Sequence, residues 1–231
     1  MSAQCLYVME DEAVFVANDT MGVACDGSGP IRITDKAVEV PHLRMILTGA
    51  GYHQFLLEWY YMLMCEVDAT DIAVLNESAP SLLSKAWRRF QRKNDLSKVE
   101  GNVPGSGGSK IAHLGYSPEE RGFVGFYYKL QDDFQPTRMQ NKPYYMPKED
   151  GVRSQVFEKG LPLSEEIVEF FKYTKSVDEE HPVGERVGIG GEIWLRAISS
   201  DLRFTTERLH IFDDYDETLE QVREAGSPVG R

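Results

Sequence analysis

The sequence predicts an α+β protein built on antiparallel sheets, on three observations. Strand signals fill the run from Gln4 to Ala50; two helical periodicities follow back to back between Tyr52 and Lys93; more strands, one helix and closing strands complete the chain. Strands and helices that come in blocks cannot form one alternating parallel sheet. They fit two antiparallel sheets stacked face to face with helices outside.

Gln4 to Met9 and Ala13 to Asn18 carry β-branched and aromatic residues on both arms of the acidic turn Glu10-Asp11-Glu12, as a hairpin requires. RITDKAVEV (32–40) and RMILTGAG (44–51) read as a second antiparallel pair. Together the two pairs bring the amino terminus, Asp19, Lys36 and the backbone at Gly49 towards one place. Tyr52 to Val67 is a helix, with Tyr52, Phe55, Leu56, Trp59, Tyr60, Leu63 and Val67 at three- and four-residue spacing. The strand-to-helix junction leaves backbone N–H groups near Gly49 and Ala50 where they can hold a negative oxygen. A second helix is predicted from about Pro80, in its first turn, to Lys93, burying Leu82, Leu83, Ala86, Trp87 and Phe90. Its basic run KAWRRFQRK (85–93) reads as the wet side of that helix rather than a patch for an acidic partner.

GNVPGSGGS (101–109) is a flexible connection; no Lys-Ser or Lys-Thr pair opens a helix after it, so it is not a phosphate loop. Lys110 to Tyr116 and Gly122 to Leu130 form a strand pair around Ser117-Pro118-Glu119-Glu120. Lys129 to Asp150 is polar and interrupted by prolines, a long loop or irregular hairpin, and the irregular segment is expected to extend to about residue 162. Leu163 to Lys175 is a third helix, capped by Ser164, with Glu165 and Glu166 at its positive end and Ile167, Phe170, Phe171 and Thr174 inward. The acidic connection Val177 to Pro182 is expected to end it. Arg186 to Ile198 and Arg208 to Phe212 are the closing strands; Gly188-Ile189-Gly190-Gly191 precedes a strand, not a helix, and so is no dinucleotide fingerprint. From Asp213 the tail is acidic, one or two helical turns and then frayed.

Composition bounds the function. A chain of 231 residues suits one domain, expected over 1–231, and 42% hydrophobic with 27% charged residues is ordinary for a soluble protein with a sizeable core. The opening MSAQCLYVMEDE lacks the basic segment and apolar core of a secretory signal, which makes the cytoplasm the expected compartment. A formal net charge of -12 disfavours nucleic acid and anionic membrane as partners. Cys5, Cys25 and Cys65 are odd in number and unpaired in spacing, and His42, His53, His113, His181 and His210 are scattered, so no metal is expected. Cys5 reads as a buried thiol, and the Asp213–Glu217 cluster as solvated.

Three pieces of the opening stretch, Ala17-Asn18-Asp19-Thr20, Arg32-Ile33-Thr34-Asp35-Lys36 and Thr48-Gly49-Ala50, resemble in order and spacing the β-type subunits of the proteasome and its bacterial relatives among the N-terminal nucleophile hydrolases. The resemblance implies a four-layer αββα sandwich, assembly into a ring that sequesters its active sites, peptide or amide bonds as substrate, and no cofactor. Residue by residue, it implies Ser2 as nucleophile once Met1 is removed, Asp19 and Lys36 tuning it, and the Gly49 N–H as an oxyanion donor. It further implies Thr20, Met21, Leu47 and Ala50 as substrate contacts. A free α-amino group, with a pKa of about 7.7–8.0, can take the proton of its own residue's hydroxyl, which is why nucleophile and base can share one residue. A lysine beside it lowers the pKa of both groups, and an aspartate holds that lysine charged.

The chain departs from the family's pattern in places. Serine stands where threonine is usual, only methionine precedes it, and the segment from Ser2 to Asp19 is one residue longer. Where the family carries a Gly-Ser-Gly turn, with an Asp and a Ser beyond it that support the terminal amine, the nearest match is Gly151-Val152-Arg153-Ser154. Two other readings therefore stand beside the peptidase: a non-catalytic scaffold subunit of the same kind, and a small-amide hydrolase that forms no ring. Any unfoldase partner is unspecified.

Overall fold

The computed structural model describes residues 3–23, 29–94, 109–146, 163–182 and 185–226. The opening hairpin forms as β1 (Gln4–Met9) and β2 (Ala13–Asp19), paired from Gln4↔Asn18 to Met9↔Ala13. RITDKAVEV divides. Its first residues belong to β4 (Pro30–Ile33), which pairs with β3 (Met21–Val23) in a separate two-stranded ribbon, while β5 (Ala37–Val40) pairs with β6 (Met45–Ala50).

Two five-stranded antiparallel sheets carry the fold. One has the order β5-β6-β7-β8-β9, with β7 at Lys110–Ser117, β8 at Gly122–Lys129 and β9 at Thr137–Arg138. The other has the order β10-β1-β2-β11-β12, with β10 at Tyr144–Met146, β11 at Glu192–Ser199 and β12 at Phe204–Ile211. Side chains alternate across each strand, so both sheets have two buried faces. Leu6, Val8, Val14 and Val16 meet Ile46, Ala112, Leu114 and Phe123 between the sheets. On the far side of the first sheet, Met45, Leu47 and Ile111 pack under α1 (His53–Cys65) and α2 (Ile72–Lys93). On the far side of the second, Ala3, Cys5 and Ala17 pack under α3 (Leu163–Glu180) through Ile167, Phe170 and Phe171. The result is the expected αββα sandwich of four layers. None of the helices among the described residues is long and apolar enough to cross a membrane.

Several boundaries differ from the sequence reading. α2 begins eight residues before Pro80, so that proline lies inside the helix. The true start is Asp71, whose carboxylate accepts from Ala73 N at 2.6 Å and also from Ser117 Oγ and Glu119 N, clamping the helix to the β7–β8 turn. The buried stripe is Ile72, Leu75, Ala79, Leu83, Ala86 and Phe90, with Trp87 half-buried beside it. The wet side of α2 is engaged: Arg89 and Lys85 pair with Glu66, and Lys93 with Glu58. Residues 130–146 are no hairpin, because β9 joins β8 in one sheet and β10 joins β1 in the other, so the segment crosses between layers. α3 runs five residues past Lys175, with Ser164 inside it. Residues 186–191 are not strand, and the acidic tail forms a helix of 12 residues, α4 (Tyr215–Gly226), which packs on β4. Asp214, in the acidic cluster, pairs with Lys175 at 2.9 Å rather than standing free. Residues 101–108, the Gly151–Ser154 match and Cys25 lie outside the described residues.

Candidate active site

The two sheets are joined at one end by a polar knot that starts at β6. Thr48 Oγ donates to the Lys36 carbonyl at 2.8 Å and accepts from Gln4 Nε2 (3.1 Å) and Asn18 Nδ2 (3.2 Å). Gln4 Nε2 also donates to the Gly49 carbonyl at 2.6 Å. β1 and β2 are thereby fixed against β5 and β6 where Asp19 ends one strand and Lys36 precedes another. Asp19, completely buried, takes the Lys36 ammonium on Oδ1 at 2.8 Å and the Ala3 backbone N–H on the same oxygen at 3.1 Å. The Gly190 N–H approaches Oδ2 at 3.4 Å.

Burial pushes the Lys36 ammonium below its ordinary range, with the positive charge of Arg32 adding to the effect and Asp19 opposing it. Burial pushes Asp19 up, against the charge and hydrogen bond of Lys36 and the two backbone donors. Each partner is thus costly to bury alone, and the contact offsets both costs.

Gly190 lies in a loop, although the sequence pattern predicts strand from Arg186. Gly188 and Gly191 take the left-handed φ values of 73° and 79°, which side chains rarely adopt, and so turn the backbone towards Asp19. The loop is held from α3, where buried Asp178 accepts from Val187 N (2.6 Å) and Gly188 N (2.8 Å). On the other side Met21 N donates to the Gly190 carbonyl at 3.1 Å, and Glu192 N donates to Thr20 Oγ at 2.8 Å. Asp178→Ala is expected to cost about 3 kcal/mol, since two backbone donors lose their acceptor in a buried place. Urea unfolding of the variant measures it, and a change below about 1 kcal/mol rejects the clamp.

Above Lys36 opens a recess of about 110 Å³ whose walls include Met21, Gly22, Arg32, Gly49, Ala50 and His53. β6 gives way to α1 within two residues, so Gly49, Ala50 and the first turn of the helix face this space together. Of the sequence-predicted residues, Lys36, Gly49, Met21 and Ala50 line the recess and Asp19 lies beneath, bonded to Lys36. Ser2 is outside the described residues. Thr20 is buried, its hydroxyl engaged by Glu192, and does not line the recess. Leu47 does not either: it packs into the core under α1, whereas Ala50, itself buried, ends β6 at the wall of the recess.

Several residues at the site had no sequence signal. Gln4 and Asn18 read as ordinary strand residues, and Asp178 as part of an acidic connection. His53 looked like one more scattered histidine, yet it opens α1, sits 3.3 Å by Nε2 from Thr34 Oγ, and lines the recess. Burial holds its pKa below the usual histidine value, helped by Arg32 and Lys36 and opposed by Asp35. Cys5 is walled in, its thiol pushed up to about 12 by burial. Among the described residues there is no group of three or more His, Cys, Asp or Glu arranged to hold a metal ion.

No protein-family model and no curated protein matches the sequence. Solved structures do. Anbu, described as an ancestral beta-subunit, from Yersinia bercovieri superposes with a TM-score of 0.58 at 12% identity, over 96% of this chain and 93% of that one. Two structures of Anbu from Hyphomicrobium sp. strain MC1 cover 100% of this chain and 99% of theirs: a Gly-1 mutant with a TM-score of 0.61 at 14% identity, and another crystal form with 0.58 at 15%. At these identities the likeness is one of fold, the proteasome-like N-terminal nucleophile hydrolase fold.

Proposed function

We propose that the chain is a hydrolase of peptide or amide bonds whose nucleophile is the Ser2 hydroxyl, exposed when Met1 is removed. The observation that carries this reading is the shared oxygen of Asp19: Ala3, the residue joined to Ser2, donates its N–H to the same atom that holds the Lys36 ammonium. In this mechanism the free α-amine of Ser2 takes the hydroxyl proton as Oγ attacks the carbonyl carbon, and Lys36 stabilises the developing alkoxide. The Gly49 N–H, at the strand-to-helix junction, donates to the tetrahedral oxyanion. The protonated amine then returns its proton to the leaving nitrogen, and water releases the acyl group from Ser2 by the same route reversed.

Assembly with further copies into a ring, which would enclose such sites, is the proposed setting, and the Anbu likeness in fold supports it. The scaffold reading shares that assembly and differs in one measurable respect, the state of the amino terminus. Intact mass of the chain expressed from Met1 is expected to show methionine lost and Ser2 unblocked. Retained Met1, or an acetylated Ser2, leaves no free amine and favours the scaffold.

A further inference from the structure

Gly49 is oriented by the backbone around it and by one side chain from the other sheet. Tyr116 N donates to the Arg44 carbonyl at 3.0 Å, which continues the β6–β7 register and places the bonds of that pair at alternate positions, leaving Gly49, opposite Ile111, between them. Both polar groups of Gly49 therefore turn to the other edge of β6. There the pairing with β5 stops at Ala37↔Thr48, one position short of Gly49, and the Lys36 carbonyl is held by Thr48 Oγ at 2.8 Å. The Gly49 carbonyl is taken from the second sheet, by Gln4 Nε2 at 2.6 Å. A Cβ on Gly49 would come within 2.7 Å of the Lys110 carbonyl, so no side chain of its own can fix this residue.

Gln4 is completely buried, and its Oε1 has no hydrogen-bond partner among the described residues. A carboxamide kept in a core with its oxygen unpaired is destabilising, and an apolar side chain of the same length would avoid that cost. What the carboxamide alone supplies is its donors, which hold Thr48 and Gly49 to a strand that begins two residues after Ser2.

We propose that Gln4 is a positioning residue: by tying the Gly49 carbonyl to β1, it sets the Gly49 N–H relative to the Ser2 hydroxyl carried by the same segment. This role rests on the hydrolase reading above. The two polar groups of Gly49 share one edge of β6, so releasing the carbonyl lets the N–H swing, and a displacement of about 1 Å costs on the order of a hundredfold in rate.

The test compares the full chain, Gln4→Met and Cys5→Ala, each freed of Met1, by the rate at which a β-lactone acylates Ser2, read by mass across lactone concentrations. Gln4→Met is expected to lower the limiting first-order rate about a hundredfold while the half-saturating lactone concentration stays within about threefold. Cys5→Ala, which alters the neighbouring buried side chain on the α3 side of β1, should keep both constants within about threefold. Periodate cleavage of the amino-terminal amino alcohol needs no oxyanion donor, and its rate should agree across the three proteins. A limiting rate in Gln4→Met close to that of the unaltered chain overturns the proposal, as does an equal loss in Cys5→Ala or a periodate rate that falls in step with acylation. If Gln4→Met lacks the native far-ultraviolet dichroism, Gln4→Asn carries the same expectation, since it keeps the carboxamide but is one methylene too short to reach Gly49. An unaltered chain that periodate cleaves but the lactone never acylates overturns the hydrolase reading and this role with it, whereas equal acylation of the unaltered chain and Gln4→Met overturns the role alone.

Discussion

Replacing Lys36 with methionine is expected to cost about 3–5 kcal/mol of stability, because it leaves the carboxylate of Asp19 buried without its cation. Asp19 is completely buried and Lys36 is 5% exposed, so water cannot take the place of the lost partner. The remaining donors are the two peptide N–H groups, of Ala3 at 3.1 Å and Gly190 at 3.4 Å, and they do not balance a full charge. Asp19 already has its pKa raised by burial and loses the ammonium that opposed the rise, so in the variant its pKa rises further. Asp19→Asn alone is expected to be destabilising in turn, with Lys36 shedding its proton in the way its burial already favours. The double variant Lys36→Met with Asp19→Asn should be more stable than the sum of the single losses allows, by about 2 kcal/mol or more. Urea unfolding of the four proteins measures this coupling; additive losses contradict the pairing. Any peptide-hydrolysing activity should fall at least about a hundredfold in both single variants and stay low in the double.

The second large effect lies away from the recess, in the core under α1. His113 is completely buried, stacked on Trp59 with ring centroids 5.8 Å apart and 12° between planes, with the Tyr128 ring at 4.8 Å. Its Nε2 accepts the Trp59 indole N–H at 2.9 Å, which requires that nitrogen to carry no proton. Burial lowers its pKa to about 3, against 6.5 in an unperturbed chain. The folded protein therefore refuses a proton that the unfolded chain accepts, and stability is full above about pH 6.5 and falls as pH drops towards 3. The slope is about 1.4 kcal/mol per pH unit, so this one ring removes roughly 2 kcal/mol between pH 6.5 and 5. His113→Phe forfeits the Trp59 hydrogen bond at every pH but should flatten that part of the stability curve. Urea midpoints from pH 7.5 to 5 for both proteins test it, and parallel curves reject the assignment.

The opening hairpin is legible because Glu10-Asp11-Glu12 marks a turn between two strong strand segments, and the structure pairs those segments from Gln4↔Asn18 to Met9↔Ala13. Later boundaries were hidden by local chemistry that tertiary packing overrode. Asn76, Glu77 and Ser78 dilute the apolar stripe in the first turns of α2, so Pro80 looked like a start when the clamp on Asp71 had already set one. α4 carries Tyr215, Leu219, Val222 and Ala225 at helical spacing, but the stripe is short and set among acidic residues, and the helix packs on β4 rather than in the main core. Strands buried on both faces carry apolar residues without alternation, and for that reason Leu47 could not be told from a residue facing the recess.

At the site, Asp19, Lys36 and Gly49 were legible from the order of three short segments. Gly190 is 171 residues from the Asp19 it approaches, and Arg32, His53 and Lys110 meet only when β4, α1 and β7 converge. No spacing along the chain announces such a meeting.

The central claim is that Ser2 carries the nucleophile, and a covalent probe tests it most directly. The chain, confirmed by mass to have lost Met1, is incubated with a peptide epoxyketone or a β-lactone, and the adduct is located by peptide mapping. One adduct on Ser2, absent from the Ser2→Ala variant and suppressed by Lys36→Met, is the predicted result. No adduct on the wild-type chain, or equal labelling of Ser2→Ala, would contradict it.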